Sequence, residues 1–164
     1  MTTERMDQPG DGSEFEVLRG WLDFHRDGLE HKVAGLSDEQ LVTPSAPPSP
    51  LSLIGLVRHM TEMEWAYGVF AIEDGEFRAP YGTPENEDAD IIGLTPEIVQ
   101  SSLRRWRDER DALDVLLAGT TVESIAEGNG RSVRWNLVKL VQEYARHNGH
   151  ADLIRERIDG AVGE

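Results

Sequence analysis

No cysteine occurs among the 164 residues. That excludes disulfides, a thiol nucleophile and a thiolate metal site. Any metal must be held by nitrogen and oxygen, and any sulfur chemistry needs a thiol brought by a ligand. Long apolar runs are also missing. None approaches the ~20 residues of a membrane-spanning helix, and Met1 to Asp11 has no stretch of signal-peptide type. A cytoplasmic protein with no membrane partner is expected. Basic residues are scarce, 16 against 31 acidic ones, for a formal net charge of -15. Phosphate backbones repel such a surface and the counterion-release gain is lost, so no nucleic-acid partner is expected. No phosphate-binding G-x-x-x-x-G-K-[ST] loop, no G-x-S-x-G elbow and no H-E-x-x-H is found. The paired E-x-x-H motifs of di-iron bundles are absent too. No segment sustains the period-2 alternation of a strand.

What is present is helical periodicity. From Ser13, apolar residues fall at Phe15, Leu18, Trp21, Leu22, Leu29 and Val33, with Gly35 as the stop. Pro44, Pro47, Pro48 and Pro50 then predict a stiff, extended connection. A second stripe, from Ser52, runs Leu53, Leu56, Val57, Met60, Met63, Tyr67 and Phe70, with Gly75 beyond its end. Thr95-Pro96 reads as an N-cap followed by proline in the first helical position, opening a third helix through Val99, Leu103, Trp106, Leu113 and Leu117. Gly128-Asn129-Gly130 marks a turn. Ser132 caps a fourth helix along Val133, Leu137, Leu140, Val141, Tyr144, Ala151, Ile154 and Ile158, stopped by Asp159-Gly160. The expected fold is an all-α four-helix bundle over residues 13–160, preceded by a flexible tail, 1–12. A long loop separates the second and third helices, and loops of that length are often functional. It is acidic, yet its carboxylates match no calcium-loop spacing. Gly75 to Gly93 is therefore expected to border a site rather than to bind a cation.

Two segments carry candidate chemistry. In Glu143-Tyr-Ala-Arg-His147-Asn-Gly-His150, Glu143 and His147 are four residues apart. On a helix they stand about 6 Å apart along one face, from a rise of ~1.5 Å per residue. A carboxylate and an imidazole so placed can grip one divalent cation, or form a simple i,i+4 pair worth a few tenths of a kcal/mol. His59 lies in the second stripe. At ~100° per residue it falls about 60° from Leu56, while Glu143, His147 and His150 fall within about 80° of Leu140. All four therefore border the core faces of their helices. Spacing does not choose between Glu143 and His150 as the partner of His147. An unpaired carboxylate near a core is costly, and a metal would account for it. His25 reads as a core-edge histidine or an accessory group, and His31 as a surface residue. Helical spacing makes most of Trp21, Trp65, Trp106 and Trp135 core residues.

These motifs, with Ser52-Leu-Ile-Gly-Leu-Val-Arg-His59, the run Ala151-Asp152-Leu-Ile-Arg155-Glu156 and the closing Ile158-Asp159-Gly160, resemble the DinB-like (DinB/YfiT) superfamily of metal-binding four-helix bundles. The resemblance covers roughly residues 15–160 and is strongest to an actinobacterial branch related to mycothiol-dependent maleylpyruvate isomerase. It implies a divalent metal, zinc or alternatively nickel, held by His59, Glu143 and His147. His150 becomes a catalytic group or pocket residue. Lys139 departs from the pattern, where close relatives often carry histidine. The resemblance further implies metal-dependent transfer of a low-molecular-weight thiol, with mycothiol as cosubstrate, to an electrophilic small molecule. The partners are then a small-molecule thiol and an electrophile, with a homodimer as a possible assembly. Rival readings are a metal-dependent hydrolase or isomerase using metal-bound water, and a non-enzymatic metal- or small-molecule-binding bundle.

Overall fold

Helix α1, Glu14–Val33, starts where Ser13 and Glu16 satisfy each other's backbone N–H groups in a capping box. The structure is a computed structural model that describes residues 5–73 and 78–163. Gly35, just past the end of α1, has φ +76°, a left-handed conformation that suits glycine. A one-turn helix, α2 (Asp38–Leu41), follows, too short to show as an apolar stripe. Its start is nonetheless local chemistry: Ser37 and Gln40 form a second capping box.

Helix α3, Leu53–Glu64, begins at Ser52, whose Oγ accepts from Gly55 N at 3.2 Å. It runs on through a π-helical turn, Trp65–Val69, into the short α4, Phe70–Glu73. In the π turn Gly68 lies under Leu113; a Cβ at residue 68 would stand 2.7 Å from the Leu113 Cδ2. The expected stop at Gly75 lies outside the described residues. After the loop, Pro96–Ile98 form a 3-10 turn leading into α5, Val99–Leu117. Thr95 stands at the start of that turn, but its side chain makes no capping bond, so proline's fixed φ sets this entry.

Between α5 and the last helix the chain makes a hairpin, β1 (Ile125–Ala126) antiparallel to β2 (Arg131–Ser132), too short to show as alternation. Gly130 turns it with φ +68°. Gly128 sits hard against the first residues of α4. Its N–H donates to Ala71 O at 2.9 Å, and a Cβ there would lie 2.3 Å from Phe70 O. Ser132 then caps α6, Val133–Asp159, by accepting from Trp135 N, and Gly160 ends it at φ +81°.

The fold is all-α: α1 packs along α6, and α3 packs on both α5 and α6. Leu22 and Leu29, Leu56 and Met60, Leu113 and Trp106, and Leu140 and Ile154 meet in one core. Among the tryptophans only Trp106 belongs to it. Trp21 and Trp65 are half-buried and Trp135 is exposed, so the expectation that most are core residues is corrected. Trp135 instead lies beside Tyr67, ring centroids 6.0 Å apart. The core also holds charge. Arg26 donates through Nε and Nη2 to the two Glu64 oxygens at 2.8 and 2.7 Å, and both residues are fully buried. Tyr144 Oη donates to Glu64 Oε1 at 2.6 Å and accepts from Trp106 Nε1 at 2.8 Å. Arg26 Nη1 reaches Asp114 at 2.8 Å. Ahead of α1, Met6 N donates to Asp27, Pro9 packs over Gly20 and the Arg5 guanidinium lies over the Phe24 ring. No helix among the described residues is long and apolar enough to cross a membrane.

Candidate metal centre

Two of the four long helices supply the centre. His59 sits on the second turn of α3, and Glu143 and His147 lie one turn apart in the middle of α6. One donor atom from each of the three lies within 4.8 Å of the other two. Ligands ~2.0–2.2 Å from a shared tetrahedral ion stand about 3.5 Å apart, so an inward shift of about 1 Å fits them to one cation. The rings of His59 and His147 meet edge to face with centroids 4.6 Å apart, and His147 Nε2 is 3.5 Å from Glu143 Oε2.

His150 falls behind His147, Nδ1 to Nδ1 at 3.3 Å, rather than beside Glu143. Geometry therefore separates the two residues that spacing leaves equivalent. Glu143 faces His59 and His147, and His150 engages the far nitrogen of His147. Since Nδ1 of His147 is engaged there, its Nε2 is the atom turned toward Glu143.

Charge states suit a cation. Burial, then the neighbouring His59 and His150, push the His147 imidazole down to about 4, so it is neutral at pH 7 with a lone pair to offer. Burial alone would raise the Glu143 carboxyl. The hydrogen bond and charge of Lys139 outweigh it, and the group lies below its ordinary value, ionised. Lys139 Nζ pairs with Glu143 Oε1 and also donates to Gln142 at 3.0 Å. Glu143 is thus buried but paired, so its burial does not by itself call for a metal. The metal case rests on the convergence of two imidazoles and a carboxylate.

The acidic loop borders this centre through a residue that belongs to no motif. Asp90, 5% exposed, places Oδ2 2.9 Å from His59 Nδ1. Nothing in its spacing marks it, because it reaches His59 from irregular backbone. His25 and His31 take no part. The His25 ring packs against Trp21 and Phe24, and burial, with the Arg5 charge, lowers its pKa. It borders a separate groove with Lys32, Asn148 and Asp152. His31 is half-buried rather than a surface residue, with Nδ1 2.9 Å from Asp27 O.

No curated protein matches the chain. Residues 17–160 match the profile of the family described as Mycothiol-S-transferase. That span takes in α1 to α6 almost whole and includes His59, Glu143, His147 and His150. On this match, and with the DinB-like bundle and the clustered residues in place, the chain belongs to the mycothiol S-transferase family.

Proposed function

We propose that this protein transfers mycothiol to an electrophilic small molecule, using one divalent cation held by His59, Glu143 and His147. The observation that carries the reading is the convergence of those three donors within 4.8 Å, in a chain with no cysteine of its own. Three protein ligands leave a coordination position for another group. When bound, the cation supplies the Lewis acidity that ionises a thiol at neutral pH, against a free thiol pKa of ~8.5.

The chain's own residues do the rest. Glu143 brings the negative charge, held ionised by Lys139. His147 stays neutral and presents Nε2. His150, half-buried beside His147, relays a proton released at the site to solvent. Zinc is the expected ion; a nitrogen and oxygen ligand set also admits nickel.

Elemental analysis, then titration with mycothiol, tests this. One divalent ion per chain is expected, with sharp loss in His59→Ala, Glu143→Ala and His147→Ala. About one proton per site should be released near pH 7 as the thiol binds. His150→Ala should lower turnover more than metal content. Full metal occupancy in His59→Ala would overturn the ligand set. Metal binding with no proton release for any low-molecular-weight thiol would overturn the transferase.

A further inference from the structure

We propose that Asp90 is a positioning residue for His59, fixing its tautomer and making the loop at 78–93 a working part of the metal centre. The proposal rests on the metal reading above. A carboxylate accepts and cannot donate when ionised, so its contact with His59 Nδ1 at 2.9 Å requires the proton on Nδ1. That leaves the Nε2 lone pair as the one His59 can offer, on the side of the ring away from Asp90. Metal-binding histidines commonly have their second nitrogen held in this way, which fixes the ring's orientation and strengthens the ligand.

The surroundings show that this contact is built and not incidental. Asp90 is 5% exposed, so its carboxylate is withdrawn from water at the end of an otherwise solvated acidic segment. Arg58, the neighbour of His59, grips the same stretch of backbone. Its Nη2 donates to Ala89 O at 2.7 Å and its Nε to Asp90 O at 3.2 Å. The Arg58 guanidinium lies 3.6 Å from the Tyr81 ring centre. One turn on, Glu62 accepts from Tyr81 N at 2.8 Å and from Gly82 N. Arg105 of α5 donates to Pro80 O at 2.9 Å. Three residues within one turn of α3 thus hold the loop, two at its backbone and His59 at a side chain. The loop arrives at the centre already anchored, which a positioning role requires.

The test uses the full chain and begins without metal. Imidazole 15N NMR, with the His59 signals assigned by their loss in His59→Gln, should show Nδ1 protonated and Nε2 bare in the wild type. Asp90→Ala should release that preference and weaken zinc binding about 10–100-fold in a competition titration with a chromophoric chelator. Asp90→Asn, which keeps an acceptor oxygen, should fall between. Glu85→Gln and Glu87→Gln change the same loop's charge at exposed positions and should leave zinc affinity at the wild-type value. The proposal is overturned by a wild-type His59 protonated at Nε2, by wild-type zinc affinity in Asp90→Ala, or by Glu87→Gln weakening zinc as much as Asp90→Asn. If Asp90→Ala does not fold, the wild-type tautomer alone decides. Failure of the wild type to bind zinc at all would count against the metal reading, while the tautomer measurement would still judge Asp90.

Discussion

Lys139 bears most directly on how tightly the proposed centre would hold a cation. Its ammonium pairs with Glu143 Oε1, so it holds the carboxylate ionised and also places a positive charge beside any ion that Glu143 grips. At a separation of about 5 Å with screening close to that of bulk water, a unit charge against a divalent one is worth about 1–2 kcal/mol. Lys139→Gln is therefore expected to tighten zinc binding by about tenfold at low ionic strength, with the gain shrinking as salt is added. Chelator-competition titrations at two salt concentrations measure this. Weaker binding in the variant would mean that Lys139 organises Glu143 more than it competes for it. The pair was open to reading from sequence, since Lys139 and Glu143 have the i,i+4 spacing that brings helix neighbours together. His59, Glu143 and His147 were legible for a related reason, as each borders an apolar stripe. Asp90 was not, because no periodicity governs an irregular loop.

At the scale of single elements, the start and stop signals carried well. Ser13, Ser52 and Ser132 each accept a backbone N–H at a helix start, and Gly160 ends α6 in the left-handed conformation. These are local effects of one or two side chains. The π turn at Trp65–Val69 left no such mark, because one extra residue in a turn barely disturbs an apolar stripe. The pairing of Arg26 with Glu64 was equally hidden, since it joins two helices and neither partner reveals the other. That pair makes a strong stability prediction. Glu64→Gln leaves the Arg26 guanidinium buried, with Asp23 and the half-buried Asp114 as its remaining anionic partners. Breaking a buried pair from one side typically costs about 3–5 kcal/mol. Urea unfolding should show a lower midpoint with little change in slope. A loss below about 1 kcal/mol would mean that Asp114 and Asp23 suffice for Arg26.

For the whole molecule, acid stability follows from histidines that resist protonation. Burial lowers His25 and takes His147 down to about 4 in the folded chain, whereas unfolded histidines titrate near ~6.5. Below pH ~6.5 the unfolded state binds more protons, so stability is lost as pH falls, and the His147 share of that loss is complete near pH 4. Metal-free protein should lose about 1–3 kcal/mol between pH 7 and 4.5 from this source. His147→Gln should flatten the slope in urea titrations; an unchanged slope would exclude His147 as its origin. The architecture itself was legible because four amphipathic stripes admit few packings, and the short hairpin at 125–132 was not, having too few residues to show a period. That hairpin has a wider bearing. Gly128 seats on the carbonyls of Phe70 and Ala71, which open α4 just beyond the π turn. Removing one residue from the π turn would restore ordinary winding and rotate everything after it by roughly a quarter-turn, at ~100° per residue. The Ala71 carbonyl would then face away from Gly128. The π turn acts like the offset of a vernier scale: the first part of the helix is set to place His59 beside Glu143 and His147, the last part to the hairpin, and the extra residue lets both settings hold in one continuous rod.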